Sequence, residues 1–505
     1  MASSGTSASS WHASRWEIPT LRIIPTERVR PKQVPLFLVF GTVSLFFAGL
    51  ILFQVLSLKD GVAIALVFLV SVVIIMGDDE LRSNPLNPLS FLIFLAVVNY
   101  GVRGLAIEAF NLPVRPLDNP LRHLAEACVL ISVSILLYYL GYRSRLGATL
   151  ARRIPLLCFP AGRRRTPGIL LRILVLYVVG WMARAYLLRR GVWHASTLGA
   201  AQHSGIVSIV NQASVFCALA FVAIVLLVLT LQAPPSMLAL FFCGEVLYGL
   251  LYGGASAPLL PLVMVAVIYW LCRKPVRWSV VFGGMVALLF LIGPIAVSWR
   301  AAYYKSVKES GPSFSAVAQS VESVISDPKI LSQEQAVAGR FGRLDLLLAV
   351  LDRVPRVYHY QHGQTFIPYL LEFPIPRFLY PQKRVVHPGY LFANMFQDEY
   401  DGTNVSIGYV GEAYLNFGYL GLLLCPLVGL LIRFFWERLK AYSEIELCWT
   451  VRLPFVLFQV ALSSEGAMAF YYISLIRTPA VLLLIMVFVY GRLPSVRWLR
   501  STSRA

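Results

Sequence analysis

The sequence predicts an all-α polytopic membrane protein with about twelve transmembrane helices (ten to fourteen) and one large extracytoplasmic loop. Of the 505 residues, 58% are apolar and 14% are charged, whereas soluble domains average about 45–50% and about 25%. The apolar residues gather into blocks of about 20, which is the length that a helix needs to cross a bilayer. The basic residues lie mostly between these blocks, where they indicate topology.

This composition excludes a cytosolic enzyme, a disordered protein and a nucleic-acid binder, even though the formal net charge is +19. The seven cysteines lie in apolar blocks or basic loops and show no CxxC or Cys/His spacing. Neither a disulfide framework nor a zinc site is therefore expected. The sequence also lacks P-loop, HExxH, GxSxG and DxD motifs. We therefore expect no metal, no cofactor and no nucleotide site.

The apolar blocks define the predicted spans in chain order. Nine precede the long polar loop and lie near Pro35–Leu56, Gly61–Met76, Pro88–Ile107, Leu124–Leu140, Ile169–Leu188, Ile206–Leu231, Met237–Tyr252, Ala257–Cys272 and Val280–Trp299. Three follow it, near Glu412–Phe434, Val451–Glu465 and Arg477–Tyr490. The predicted domains are a cytoplasmic tail (1–33), a transmembrane bundle (34–299), an extracytoplasmic loop (300–407), a second transmembrane bundle (408–491) and a cytoplasmic tail (492–505).

The distribution of arginine and lysine predicts the orientation of these spans. Basic residues crowd the N-terminal tail, the segments 143–165 and 273–277, the flanks of the tenth span and the C-terminal tail. All of these segments fall on one side when the spans alternate from a cytoplasmic N-terminus. We therefore expect both termini to lie in the cytoplasm.

The loop 300–407 is long, nearly neutral and rich in proline. Within it, Arg343–Val354 carries Leu344, Leu347, Leu348 and Leu351 on one helical face. This period predicts an amphipathic helix that either lies on the membrane surface or caps the bundle. A long, ordered loop of this kind in a compact protein is usually functional.

Basic side chains in and next to this loop are the first candidate site residues: Arg300, Arg340, Arg343, Arg377, Lys383 and Arg384, with His387 directly after them. Prolines 374, 376 and 381 are expected to hold the stretch PIPRFLYPQKR extended and stiff. Arginine binds phosphate through its planar fork and lysine binds it as a point charge. The cluster fits a lipid-linked diphosphate, and the alternative is contact with anionic lipid headgroups.

Glu412 lies where the tenth span is predicted to enter the membrane from outside. Ionisable groups at that depth usually face a wet cavity or a partner. Two interpretations stay open: a general base for a sugar hydroxyl, or an ion pair with a nearby arginine. Tyr414 and Asn416 lie close to it on the same helix and are candidates to bind sugar. Glu245, which lies deeper in the membrane, is expected to pair with an arginine.

The run from Arg340 to Gly429 resembles the Wzy-type polymerases that join oligosaccharide repeat units into O-antigen and capsule. The resemblance rests on GRF at Gly339–Phe341, YHYQHGQTF at Tyr358–Phe366, PIPRFLYPQK at Pro374–Lys383 and IGYVGEAYLNFGYLG at Ile407–Gly421. It covers about a fifth of the chain. Many relatives carry Trp at the position of Tyr380, a departure that keeps an aromatic side chain.

The resemblance implies a GT-C-like glycosyltransferase of the inner membrane that is inverting and independent of metal. Such an enzyme moves a glycan from undecaprenyl diphosphate onto another lipid-linked repeat unit, as in O-antigen, capsule or exopolysaccharide synthesis. Its implied partners are undecaprenyl-diphosphate-linked oligosaccharide, membrane lipids and a polysaccharide chain-length regulator. Arg377, with Arg340 and Lys383, would stabilise the leaving diphosphate, and Glu412 or His387 would orient or deprotonate the acceptor hydroxyl.

Two other functions remain open from the sequence. An O-antigen ligase-like transferase would use the same kind of loop and the same donor. A transporter or flippase for lipid-linked sugar usually shows internal repeats and broken helices. The sequence shows no internal repeat and concentrates its polar residues in one outer loop, which favours the transferases.

Overall fold

The computed structural model describes residues 36–83, 87–110, 119–158, 168–190, 205–229, 233–252, 343–375, 389–396 and 406–443, with shorter pieces and single positions elsewhere. In its first part the helices are α1 Leu36–Leu52, α2 Leu58–Gly77, α3 Asp79–Ser83, α4 Pro88–Ala96, a π-helix Val97–Val102, α5 Arg103–Phe110, a 3-10 helix Pro120–His123, α6 Leu124–Arg143, α7 Arg145–Arg153, α8 Ile169–Arg189, α9 Gly205–Leu229 and α10 Pro235–Tyr252.

The later helices are α11 Arg343–Arg353, α12 Ile367–Glu372, α13 Gly389–Phe396, α14 Gly408–Phe417, a 3-10 helix Gly418–Leu424 and α15 Cys425–Ser443. Two strands of three residues, β1 Leu156–Cys158 and β2 Ser495–Arg497, pair antiparallel. Apart from these strands, the regular structure of the described residues is helical.

Five helical stretches in the described part of the chain are long and apolar enough to cross a membrane: Leu58–Gly77, Pro88–Phe110, Leu121–Arg143, Ile169–Arg189 and Gly408–Arg438. This confirms the helical membrane character predicted from composition. The first seven predicted spans coincide with helices to within a few residues. The spans predicted at 257–272, 280–299, 451–465 and 477–490 lie almost wholly outside the described residues, so the total of about twelve stays a prediction.

Local sequence explains where two of these helices begin. The Oγ of Ser57 accepts a hydrogen bond from the backbone N–H of Asp60 at 3.1 Å and caps α2. The Oδ1 of Asn87 accepts one from the backbone N–H of Leu89 at 3.0 Å, and Pro88 occupies the first position of α4.

The largest apolar core of the described residues joins α1, α2, α4, α6, α11, α14 and α15. Helices α6 and α15 approach so closely that a Cβ on Gly429 would lie 1.9 Å from the carbonyl oxygen of Tyr138. The second core joins α8, α9 and α10 around Ile173, Phe221 and Phe241. Between α8 and α10, Arg184 donates two hydrogen bonds to the carboxylate of Glu245 at 2.7 and 2.9 Å. This ion pair confirms the prediction that Glu245 pairs with an arginine.

Several basic segments meet at one end of the bundle. Arg438 of α15 donates to the carbonyl oxygens of Ile154 and Pro155, directly after α7. Strand β1 follows there and pairs with β2 from the C-terminal basic segment. Arg433 donates to Glu80 of α3 at the same end. This grouping is the one that the charge pattern predicts, and its assignment to the cytoplasm stays a prediction.

The tenth predicted span, Glu412–Phe434, is divided at Gly418. Helix α14 ends there, and Gly418 has φ +59° and ψ −142°, a conformation essentially restricted to glycine. A Cβ on Gly421 would lie 2.1 Å from the carbonyl oxygen of Ala413, so the chain folds back on α14. The predicted span is therefore not one continuous helix, because a positive-φ glycine breaks it.

Contacts with α6 show the direction of each arm of this hairpin. The ring of Tyr409, at the start of α14, packs on Tyr138 near the end of α6, with ring centroids 6.3 Å apart. The hydroxyl of Tyr419, just after the reversal, donates to Glu126 near the start of α6. Glu126 and Tyr138 are about 18 Å apart along α6. Helix α14 thus runs antiparallel to α6, from the end of α6 towards its start. The segment after Gly418 then runs back in the opposite direction.

Helix α11 forms where the leucine period predicts it, but its position settles the two alternatives for its environment. Leu344, Leu347, Leu348 and Leu351 are all buried in the largest core. Of the two alternatives, packing against the bundle is therefore the one observed, and a position on the membrane surface is excluded for this segment. Leu346, Ala349 and Val350 are buried as well, so nearly the whole circumference of α11 packs against protein.

Candidate functional site

A loop and a helix that are about fifty residues apart in sequence form one polar unit. The loop is Gln361–Thr365, with the sequence QHGQT, and the helix is α14. The backbone N–H of Gln361 donates to the carbonyl oxygen of Leu415 at 3.0 Å, and that of His362 to the carbonyl oxygen of Asn416 at 3.0 Å. These bonds fix the loop on the C-terminal end of α14. We call the loop with Glu412 and Asn416 the QHGQT unit.

Asn416 is the centre of the QHGQT unit and has no solvent exposure. Its Oδ1 accepts a hydrogen bond from the backbone N–H of Gly363 at 2.8 Å. Its Nδ2 donates to the Oγ1 of Thr365 and to the carbonyl oxygen of Glu412, both at 2.8 Å. The amide therefore makes three bonds out of the four that it can make, and together they connect the loop to the helix.

The carboxylate of Glu412 is also fully buried. The hydroxyl of Thr365 donates to Oε1 at 2.6 Å, and the backbone N–H of Met468 donates to Oε2 at 2.6 Å. Within the described residues, no arginine, lysine or histidine lies within ion-pair distance of it. The partners of Glu412 are thus neutral donors rather than the arginine that one interpretation expected. In this conformation the carboxylate holds Thr365 in place and does not face solvent.

His362 and Gln364 are the exposed side chains of the QHGQT unit, and His362 is the one that can titrate. Its backbone has φ +47°, and the following Gly363 has φ +86°. A left-handed histidine is uncommon and persists where surrounding bonds impose it. Here Asn416 imposes it, because its main-chain oxygen binds His362 and its side-chain oxygen binds Gly363. The imidazole itself is exposed.

The residues predicted from the sequence include His387, which lies outside the described residues, and do not include His362. His362 lies within YHYQHGQTF, one of the stretches that carry the family resemblance, so the signal was present. Thr365 was missed for the same reason, since the loop was used only as a marker of the resemblance. The bonds of Asn416 and Glu412 reveal both residues.

Tyr414 lies beside the QHGQT unit in a group of three tyrosines. Its ring packs edge-to-face on Tyr360, with centroids 6.3 Å apart, and on Tyr419, with centroids 5.3 Å apart. Tyr419 is exposed and donates to Glu126, which in turn contacts His123 at 2.9 Å. Aromatic rings next to carboxylates provide both a flat apolar face and hydrogen-bond acceptors.

Arg343, another predicted binding residue, lies at the start of α11. It donates to the carbonyl oxygen of Ser406, two residues before α14 begins. Two positions further along α11, Asp345 accepts two hydrogen bonds from Arg103, at 2.9 and 2.7 Å. Burial raises the pKa of Asp345 above its ordinary value, while the hydrogen bonds from Arg103 act in the opposite direction. Arg343 thus supports the entry to α14.

The structure brings Glu412, Tyr414 and Asn416 together and places Arg343 on the neighbouring helix. The remaining predicted residues lie outside the described residues: Arg300, Arg340, Arg377, Lys383, Arg384 and His387. Across the part of the chain that is described, no group of three or more histidine, cysteine or acidic side chains could hold a metal ion.

A small cavity of about 40 Å³ lies beside the first turn of α14. Tyr409 and Val410 line it together with Asn99 and Tyr100 of the π-helix and Ser134 of α6. A π-helical turn frequently marks a functional position. The cavity has room for about two or three water molecules next to polar side chains.

Searches against protein families, curated proteins and solved structures gave no match to this chain.

Proposed function

We propose that this chain is a membrane glycosyltransferase that polymerises oligosaccharide repeat units carried on undecaprenyl diphosphate. In the proposed step, an acceptor hydroxyl oxygen attacks the anomeric carbon of the donor glycan. The bond from that carbon to the diphosphate oxygen breaks, the anomeric configuration inverts, and undecaprenyl diphosphate leaves. A base takes the hydroxyl proton, and cations stabilise the charge on the diphosphate.

One observation carries the proposal: two of the stretches that resemble the Wzy-type polymerases fold into one hydrogen-bonded unit. The stretches Tyr358–Phe366 and Ile407–Gly421 meet through Asn416, Glu412 and Thr365. Glu412, Thr365 and Asn416 are buried in this unit. Their retention needs a reason, because burial of polar groups costs free energy unless every hydrogen-bond partner is present. Positioning an exposed catalytic side chain is such a reason.

Within this proposal, His362 is the side chain that contacts the acceptor hydroxyl and takes its proton. Glu412, Thr365 and Asn416 are positioning residues, since their polar atoms are spent on each other and on the loop backbone. Tyr414, Tyr360 and Tyr419 border the place where the acceptor sugar would lie. Arg340, Arg377 and Lys383 keep the role that the sequence predicts for them, the binding of diphosphate. His387 and Glu412 remain the alternative bases.

The test compares two histidines of the same loop region. His362→Gln should abolish the ladder of long polymer in cells while single repeat units accumulate on lipid. His359→Gln is the matched control, because His359 is also exposed and lies three residues away. Both variants should reach the membrane at the wild-type level. Wild-type chain lengths in His362→Gln would refute the role of His362 as base.

A reconstitution tests the polymerase itself. The purified chain receives only lipid-linked repeat units, and a ladder of products is expected. An O-antigen ligase-like enzyme would make no ladder from this substrate and would need a lipid A core or protein acceptor. Absence of a ladder with well-folded protein would therefore refute polymerisation.

The hairpin of α14 favours transport of lipid-linked sugar as a second candidate function. Transporters often use discontinuous helices whose buried polar groups lie deep in the bundle. Helix α14 is a half-length helix with a buried carboxylate, and it reverses at Gly418. Movement of fluorescent lipid-linked sugar across liposomes that lack any acceptor would support transport, and a ladder of products would support the polymerase.

A further inference from the structure

The segment that follows the QHGQT unit carries an apolar surface that no other part of the described chain covers. Ile367, Leu371, Ile375 and Leu379 recur every fourth residue and are 41%, 72%, 41% and 67% exposed. The first two belong to α12. We call these four side chains the apolar stripe. Ile367 and Leu371 lie one helical turn apart on α12, which ends at Glu372, and Ile375 and Leu379 follow beyond its end. Several large apolar side chains exposed within one short segment indicate an interaction surface.

The apolar stripe lies at the same end of the bundle as the QHGQT unit. The backbone N–H of Ile367 donates to the carbonyl oxygen of Gly363 at 2.9 Å. The preceding Phe366 packs edge-to-face on Phe417, the last residue of α14, with ring centroids 6.3 Å apart. These contacts tie the start of the stripe to the point where α14 reverses.

Exposed apolar side chains continue from this point down the adjoining candidate span. Leu420 and Leu423, in the 3-10 helix after Gly418, are 72% and 71% exposed. They belong to Gly408–Arg438, one of the stretches apolar enough to cross a membrane. A surface of this kind on a membrane helix faces lipid. The apolar stripe is therefore next to a lipid-facing surface.

The polar residues that neighbour the stripe in the sequence are of the types found at a membrane surface. Tyr380 directly follows Leu379, and tyrosine is enriched where headgroups meet acyl chains. In the sequence, Arg377 lies between Ile375 and Leu379, and Lys383 and Arg384 follow Leu379. Basic residues beside an apolar face are the signature of segments that lie on anionic membranes.

We propose that the apolar stripe docks on the bilayer surface, where Ile367, Leu371, Ile375 and Leu379 enter the boundary between headgroups and acyl chains. The stripe has the interfacial role that the leucine period suggested for α11, whose apolar face is instead buried in protein. The docking holds the QHGQT unit beside the bilayer, on its aqueous side. This inference does not depend on the proposed enzymatic activity.

Fluorescence quenching of the full-length chain tests the inference. Leu371→Cys and, as the matched control, Gln364→Cys are labelled with NBD and placed in nanodiscs of phosphatidylethanolamine and phosphatidylglycerol. Gln364 is exposed and lies seven residues before Leu371, on the polar loop. The signal of the chain without an added cysteine is subtracted. Both substitutions are at exposed positions, which folded proteins usually tolerate.

Lipids with a doxyl group near the headgroup should quench the label at position 371 at least about twofold more than the label at 364. Aqueous iodide should show the opposite order. Iodide quenching at 371 equal to that at 364 would place the stripe in water and overturn the inference. Protection of 371 from both quenchers would also overturn it, since protein, such as a second copy of this chain, would then cover the stripe.

Discussion

The side-chain oxygen of Asn416 accepts a hydrogen bond from the backbone N–H of Gly363 at 2.8 Å, across fifty-three residues of sequence. The same side chain donates to Thr365 and to the carbonyl oxygen of Glu412. One buried amide thus determines the conformation of the loop. In this loop His362, the residue before Gly363, has a left-handed backbone and is exposed. The properties of the QHGQT unit should therefore depend on Asn416 more than on any exposed residue nearby.

Asn416→Ala should release the loop. The substitution leaves the N–H of Gly363 buried without its acceptor, and each such orphan costs about 1–3 kcal/mol. Limited proteolysis of the purified protein should then cut near residues 361–364 much faster than in the wild type. Gln361→Ala is the matched control, because its side chain makes only an exposed bond to the carbonyl oxygen of His359. Equal cleavage rates in the two variants would contradict the central position of Asn416.

Gly418→Ala should destabilise the hairpin between α14 and the following segment. A residue with a Cβ pays about 1–3 kcal/mol in this backbone conformation, and the Cβ would lie 3.0 Å from the hydroxyl of Tyr360. Gly49→Ala is the control, because no atom lies within 4 Å of its added Cβ inside α1. Thermal unfolding in detergent should show a lower midpoint for Gly418→Ala and an unchanged or higher one for Gly49→Ala. The opposite order would count against a reversal at Gly418.

Removal of one partner from the buried pair Arg103–Asp345 should be costly. Arg103→Leu leaves a carboxylate buried without its cation, which costs about 3–5 kcal/mol. The double variant with Asp345→Leu should recover most of this loss, because no unpaired charge remains. Arg356→Leu serves as the control, since Arg356 is exposed and such pairs contribute about 0–1 kcal/mol. Thermal midpoints that are equally low in the single and double variants would exclude this explanation.

The predicted orientation has a direct chemical test. A cysteine at Gln364 should react with a membrane-impermeant maleimide added to intact spheroplasts, because this loop is expected outside. A cysteine at Thr149, exposed on the basic helix α7 at the opposite end, should react only after the membrane is opened. Labelling in the reverse pattern would place the QHGQT unit in the cytoplasm and would contradict polymerisation on the outer side of the membrane.

The sequence predicts the membrane helices well, because an apolar stretch of the right length has few other stable environments. Helix α11 also lies within the stretch for which the leucine period predicts a helix. Its surroundings could not be predicted, because a leucine stripe packs equally well on protein and on lipid. Only the contacts of α11 with α14 and with Arg103 show that it packs on protein and not on lipid.

The site was predicted in part for a similar reason. Glu412, Tyr414 and Asn416 share one helix, so their proximity follows from the helical period. The link from Asn416 to Gly363 depends on a long-range contact that no local pattern encodes. The reversal at Gly418 also escaped prediction, because a glycine within an apolar run fits a straight span as well as a break.

The bond from the backbone N–H of Met468 to Glu412 has a consequence for biosynthesis. The ribosome completes residue 468 only after the whole of α14 and α15 has been made. Until then the Glu412 carboxylate lacks one of its two hydrogen-bond donors. The preceding helices therefore reach the translocon with one oxygen of this carboxylate unpaired. Assembly of the site therefore waits for the segment around residue 468, and a product that terminates before this segment should lack the bond.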